Sequence, residues 1–265
     1  MNDKTDHNLM GKLKVLVAED NEISKLLVTS VLQNWGMESM VANNGNEAVA
    51  FMQENDFDLI LMDIQMPEKN GIEATIDIRN FFDERKRNIP IIALTANATK
   101  GEEKKYFEAG MNGFLLKPFK EKELFELIEQ VMFKQLNKQN SDDAVQPTNN
   151  AVEKKYNLSL IEDLMQGDKA LVKKIVETFI SSVPPVVKAM EDACLAKDWL
   201  QTAKEAHSLK SNVDTLQMST VHTYVKTIEM NGKQSVHLDE IPDLVEKAKN
   251  GIYETIAQLK IDFNI

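Results

Sequence analysis

Leu59-Ile60-Leu61-Met62-Asp63 sets four apolar residues in a row and closes them with an acid. A strand with one wet face alternates apolar and polar residues. A strand apolar at successive positions is buried on both faces, as in a parallel sheet covered by helices. Four further short runs share this character: Lys14–Ala18, Glu38–Ala42, Ile91–Leu94 and Phe114–Leu116. Between and after them lie segments with helical spacing, at 22–34, 45–54, 72–80, 100–109 and 121–133. Five strand–helix repeats predict an α/β domain with a doubly wound, five-stranded parallel sheet and right-handed crossovers. In such sheets the site lies at the carboxyl ends of the strands, near the switch in strand order.

The character changes further along. Residues 134–152 contain little that could be buried, with Lys138-Gln139-Asn140-Ser141-Asp142-Asp143 at their centre, and read as a flexible linker. A random coil of that length spans roughly 25 Å, enough for one domain to swing onto the other. Beyond it no period-2 segment occurs. Helical spacing predicts helices near 158–165, 168–181, 185–196, 198–214, 218–230 and 240–261. Pro184 and Pro185 mark a start or a kink, and Gly232 a stop. The packing solution is an all-α four-helix bundle with short extra helices.

Composition narrows the function. With 31 basic and 42 acidic residues the net charge is −11, which argues against a general nucleic-acid binder. One cysteine, Cys194, cannot close an internal disulfide, and no Cys/His cluster has zinc spacing. A reducing cytoplasm fits. No run of 18 apolar residues predicts a membrane span, and Met1 to Met10 lacks the apolar core of a secretory signal.

The strand ends carry the chemistry. Glu19 and Asp20 follow the first strand, and Asp63 ends the third, which the fold sets beside it. Three converging acids repel one another, the more so when buried. A hard cation resolves the conflict, and oxygen ligands suit Mg²⁺. Thr95 ends the fourth strand and Lys117 the fifth. A carboxylate, a divalent ion, a hydroxyl and a lysine are what in-line phosphoryl transfer to an aspartate requires. Lys117-Pro118 can be a cis bond, which would set the lysine's direction.

These pieces, Val15-Leu16-Val17-Ala18-Glu19-Asp20-Asn21, Leu61-Met62-Asp63-Ile64-Gln65-Met66-Pro67, Leu94-Thr95-Ala96 and Leu116-Lys117-Pro118-Phe119, resemble the receiver domain of response regulators, a flavodoxin-like fold. The resemblance covers about residues 12–133. It implies Asp63 as phosphoacceptor, and Mg²⁺ held by Glu19, Asp20, Asp63 and the Gln65 backbone carbonyl. It implies that Thr95 and Lys117 contact the phosphoryl group. Phe114 departs from the family's frequent tyrosine, which bears on output signalling rather than on chemistry. A haloacid-dehalogenase phosphatase is disfavoured, because Gln65 stands where it would need an acid. Gly45 and Gly71 are isolated turn glycines, not a phosphate loop.

Of the four histidines, His7 lies in a tail, His237 in a turn and His222 along an ordinary helix. His207 falls beside a stripe formed by Trp199, Ala206, Leu209, Val213 and Leu216. Lys204 and Lys210 flank it one turn away on each side, and Ser211 is small. A neutral ring nitrogen there can attack phosphorus, and the lysines would attract the incoming anion. Ala206-His207-Ser208-Leu209-Lys210-Ser211 resembles the signature of a histidine phosphotransfer domain, over about residues 153–265. That resemblance implies His207 as phosphoacceptor, with Lys210 and Ser211 shaping a docking face. The family more often has glycine where Ser211 and Gln217 stand.

The two resemblances together imply a two-component phosphorelay module. Its partners would be an upstream histidine kinase and a downstream response-regulator receiver. The whole chain resembles the C-terminal part of a hybrid sensor histidine kinase, with a free-standing protein of the same order as the other option. No ATP-binding boxes occur, so the chain is expected not to make phosphohistidine from ATP itself. A phosphorylation-insensitive docking scaffold and a phosphatase running the relay backwards are the competing functions.

Overall fold

The computed structural model describes residues 13–96, 100–133 and 155–265. The expected linker at 134–152, and His7, lie outside the described residues. In chain order the first half runs β1 (Lys14–Ala18), α1 (Glu22–Asn34), β2 (Glu38–Ala42), α2 (Gly45–Glu54), β3 (Leu59–Asp63), α3 (Gly71–Arg79), α4 (Glu84–Arg87), β4 (Ile91–Thr95), α5 (Lys100–Glu108), β5 (Gly113–Leu116) and α6 (Glu121–Phe133). The five strands are parallel, in the order β2-β1-β3-β4-β5. Strand order therefore reverses between β1 and β3, and the chain leaves those two strands in opposite directions.

β3 and β4 are buried at every position, as their unbroken apolar runs require. Alternate residues feed opposite layers. Val15, Val17, Leu59, Leu61, Ile92 and Leu94 pack with α1 and α6. Leu16, Ala18, Ile60, Met62, Ile91 and Ala93 pack with α2, α3 and α5. Side-chain caps start the helices: Asn21 before α1, Asn44 before α2, and a reciprocal Asn70–Glu73 pair before α3. The four-residue α4 is too short to leave a periodic signal in the sequence.

The second half is helical: α7 (Ser159–Leu164), α8 (Lys169–Leu195), α9 (Trp199–Thr215), α10 (Ser219–Gln234) and α11 (Ile241–Phe263). Each of the four long helices packs against the next, and α11 returns to α8. Pro184 and Pro185 do not start a helix; α8 runs through both for 27 residues. Phe179, Val183, Val187 and Met190 form one buried stripe across the prolines. Continuous burial of that stripe outweighs the roughly 3 kcal/mol a proline costs a helix interior. Gly232 does not stop α10. It lies buried inside it, where a Cβ would sit 2.5 Å from the Trp199 carbonyl oxygen, so its smallness lets α10 approach α9. The helix ends instead at Ser235, whose φ of 55° is left-handed.

The two halves touch. α1 contacts α7, α8 and α9. Eight of its thirteen residues are buried, including Ser24, Lys25 and Ser30 beside the apolar stripe. A helix covered only by its own sheet would bury a single stripe. α1 is covered on both sides, by the sheet and by the helical half, and the apolar core on that side of the sheet continues into α7 and α8.

Candidate functional site

At the carboxyl edge of the sheet, carboxylate oxygens of Glu19, Asp20 and Asp63 lie within 4.8 Å of one another. β1 delivers the first two and β3 the third, because the two strands pair in register with Ala18 beside Met62. Glu19 is fully buried and Asp63 is 7% exposed. Lys117, delivered by β5, stands between them: its Nζ is 2.9 Å from Asp63 Oδ2 and donates to Glu19. Its peptide to Pro118 is cis.

Electrostatics reflect the crowding. Burial, and then the Asp63 charge, push the Glu19 carboxyl up to about 8, with Lys117 pulling the other way. Asp20 is raised by the same two causes. Burial alone would lower the Lys117 ammonium, but the Asp63 and Glu19 carboxylates outweigh it and raise it. One ammonium against three acids leaves negative charge uncompensated, and the donors are all hard oxygens, so the set fits a divalent cation such as Mg²⁺.

Gln65 turns its backbone N–H to Asp63 Oδ1 at 3.3 Å. Thr95 ends β4 beside β5, nearly buried, and its hydroxyl shares a hydrogen bond of 3.2 Å with the Tyr106 hydroxyl. Tyr106 in turn lies 6.2 Å, ring centre to ring centre, from Phe114. Phe114 stands out in the sequence and Tyr106 does not, because Tyr106's place beside Thr95 depends on α5 folding back over the sheet.

His207 sits in α9 with its side chain 23% exposed. Ala206, Leu209, Val213 and Leu216 of the expected stripe are fully buried. Nδ1 lies 2.6 Å from Glu229 Oε1. A carboxylate only accepts, so Nδ1 carries the proton and Nε2 keeps its lone pair in the neutral ring. Lys233 also donates to Glu229 at 2.6 Å, and Lys210 Nζ is 3.8 Å from its other oxygen. Burial pushes the Glu229 carboxyl up, but hydrogen bonds from His207 and Lys233, with their charges, overcome this and hold it at about 2. Glu229 leaves no local signal in the sequence. It stands 22 residues from His207 on the neighbouring helix, a distance at which no local spacing rule operates.

His222 pairs with Asp214, and His237 lies in a turn near Glu240. Gln217 has a φ of 49°, a left-handed position just past the end of α9 that glycine occupies without strain.

Asp20, Asp63, Gln65, Thr95 and Lys117 line one cleft of about 930 Å³ together with His207, Lys204, Lys210, Ser211 and Glu229. Apart from Glu19, which is buried beneath it, the expected site residues of the two halves thus face a shared space. His207 is near enough to draw the Asp20 carboxyl down, though by less than burial and Asp63 raise it.

The model of the response regulator receiver domain matches residues 15–129. The polar-differentiation response regulator DivK of Brucella anthropi is 37% identical over 115 residues, which make up 43% of this chain and 92% of DivK. The chain belongs to the response-regulator receiver family. Sensor protein GacS of Pseudomonas syringae pv. syringae is 39% identical over 116 residues, 43% of this chain and 13% of GacS. Hybrid signal transduction histidine kinase I of Dictyostelium discoideum is 37% identical over 144 residues, 52% of this chain. The chain spans 13% and 8% of the length of these last two relatives, respectively. Among solved structures, the receiver domain of a Pseudomonas aeruginosa sensor histidine kinase, with a magnesium ion coordinated in its active site cleft, is 35% identical. It covers 46% of this chain and 98% of its own, with a TM-score of 0.43. The family model and DivK identify the first half as a receiver domain of two-component signalling. Among the described residues no helix is long and apolar enough to cross a membrane.

Proposed function

We propose that the chain is a receiver–phosphotransfer module of a multistep phosphorelay. Residues 12–133 would be the receiver. Residues 153–265 would be a histidine phosphotransfer domain, its four long helices forming a four-helix bundle. The observation that carries this reading is that Asp63 and His207 line the same cleft.

In the first step an Asp63 oxygen attacks the phosphorus of an upstream kinase's phosphohistidine. The O–P bond forms as the kinase's N–P bond breaks, and the electron pair returns to that imidazole. Lys117, 2.9 Å from Asp63 Oδ2, balances the phosphoryl oxygens, and the Thr95 hydroxyl turns toward them. Glu19, Asp20, Asp63 and the Gln65 carbonyl would hold Mg²⁺. When bound, it would let the acids stay ionised together and offset charge on the phosphoryl oxygens.

In the second step the Nε2 lone pair of His207 attacks the acyl phosphate. The N–P bond forms, the bond to Asp63 breaks, and the carboxylate recovers its electron pair. Phosphorylation makes the ring cationic with its Nδ1 proton in place, and the Glu229 carboxylate accepts from that N–H at 2.6 Å. Lys210 and Lys204 meet the incoming anion. Phosphohistidine and acyl phosphate are both high in energy, so the step is reversible, and a downstream receiver would take the group next. The chain itself would be a phosphocarrier without ATP-dependent kinase activity, working in the cytoplasm alone or as part of a larger kinase.

The test is loading with acetyl phosphate and Mg²⁺, with the modified residue typed by acid and base lability. Asp63→Ala abolishes loading. His207→Gln leaves acyl phosphate formation intact and blocks onward transfer. Loading that survives Asp63→Ala overturns the reading, and a chain that fails to bind Mg²⁺ favours a docking scaffold.

A further inference from the structure

The contact between the halves contains a polar pin. Asn21 caps α1: its Oδ1 accepts from the N–H groups of Ile23 at 3.1 Å and Ser24 at 3.0 Å. Those two bonds orient the amide and turn its Nδ2 outward. Nδ2 donates to Asn212 Oδ1 at 2.8 Å, and Asn212 is 4% exposed. Asn21 follows Asp20 directly, and Asn212 lies five residues beyond His207 on the same helix. The pin therefore ties the acidic rim to the histidine helix at the point where their relative placement matters. Around it the seam is apolar, with Leu27 and Val28 of α1 facing Leu160 and Leu164 of α7. A second tie lies further out, where Glu121 accepts from Gln166 of the helical half at 3.0 Å and from Trp35 at 2.8 Å.

We infer that the Asn21–Asn212 pair selects this chain's own receiver as the partner of His207, so that phosphoryl exchange between Asp63 and His207 runs within one chain. This rests on the relay reading above. An apolar seam grips many partners, whereas a buried amide rewards only a partner that completes it, as a buried asparagine fixes register in coiled coils. A receiver without a matching donor leaves the Asn212 oxygen buried and unpaired. That penalty corresponds to about a five- to hundredfold preference for the receiver that fits. Asn21 and Asn212 are positioning residues; neither touches the reacting atoms.

The experiment uses the full chain, loaded on His207 with phosphoramidate in the presence of Mg²⁺. Transfer to its own Asp63 is followed at several protein concentrations. Transfer is also followed to an added free receiver domain with a residue other than asparagine after its acidic pair. Wild-type transfer to Asp63 is expected at a rate independent of protein concentration. Asn212→Ala slows that transfer about five- to hundredfold and does not slow transfer to the free receiver, which no longer leaves a buried oxygen unpaired. An equal fall in both rates means general damage to α9 and overturns the inference, as does no fall in either. Hydrogen exchange across residues 22–34 reads docking without any phosphoryl group, and should quicken in Asn212→Ala. Unchanged exchange counts against the pin. If wild-type phosphohistidine never reaches Asp63 while Asn212→Ala still quickens exchange, the relay reading falls and the docking pin stands.

Discussion

Gly71 opens α3 directly behind β3, and replacing it gives a sharp test of how tightly Asp63 is held. A Cβ at position 71 would lie 2.1 Å from the Asp63 carbonyl oxygen, 2.9 Å from Met62 Cγ and 3.0 Å from the Asp63 carbonyl carbon. Ordinary contact needs roughly 3.5 Å, so strand and helix must part by about an ångström. Backbone meets backbone here, so no side chain can swing aside. Overpacking of this kind costs about 1–3 kcal/mol. Alanine's better helix propensity returns up to about 1 kcal/mol. Gly101 provides the reference, since a Cβ there meets nothing within 4 Å. The propensity gain is common to both substitutions and cancels in their difference. Gly71→Ala should therefore be about 1–3 kcal/mol less stable than Gly101→Ala, read from urea midpoints at constant slope. Acetyl phosphate loading should fall in Gly71→Ala, because a 1 Å displacement of a reacting group can cost about a hundredfold in rate. Equal midpoints for the two variants would refute the packing argument.

Three further outcomes follow from particular residues. Gln217→Gly relieves a left-handed residue and should stabilise the helical half by about 0.5–1 kcal/mol; a lower melting temperature would contradict this. Glu229 has a carboxyl depressed from its ordinary value of 4.5 to about 2, so it contributes stability fully present above pH 4.5 and lost as pH falls toward 2. Urea titrations across that range should show the advantage of wild type over Glu229→Gln shrinking with acidification, and a constant gap would be inconsistent with it. Lys117→Ala strips the one cation that, among the described residues, directly contacts both Glu19 and Asp63, and should cost about 3–5 kcal/mol, with part of the loss restored by Mg²⁺. Thermal melts in chelator and in Mg²⁺ that coincide would argue against a metal site at this rim.

Local pattern alone made much of the receiver half readable. Consecutive apolar residues at Leu59–Met62 announce a strand covered on both faces, and the regular alternation of such runs with helical spacing announces a parallel sheet. Glu19, Asp20, Asp63, Thr95 and Lys117 stood out because each ends a strand or follows its end within two residues, and the ends of parallel strands share one edge. These are short-range signals, set by residue type within a few positions. A helix start at Pro184 or Pro185 and a stop at Gly232 fail for the complementary reason: the course of α8 and α10 there depends on burial against other helices, which no local rule contains. The partner of His207, the company Thr95 keeps with Tyr106, and the Asn21–Asn212 contact arise from residues 22, 11 and 191 positions apart. Sequence supplied Asp63 and His207 as separate motifs. Their opening into one cleft came only from tertiary packing, because burying the outer face of α1 brings α9 over the rim of the sheet.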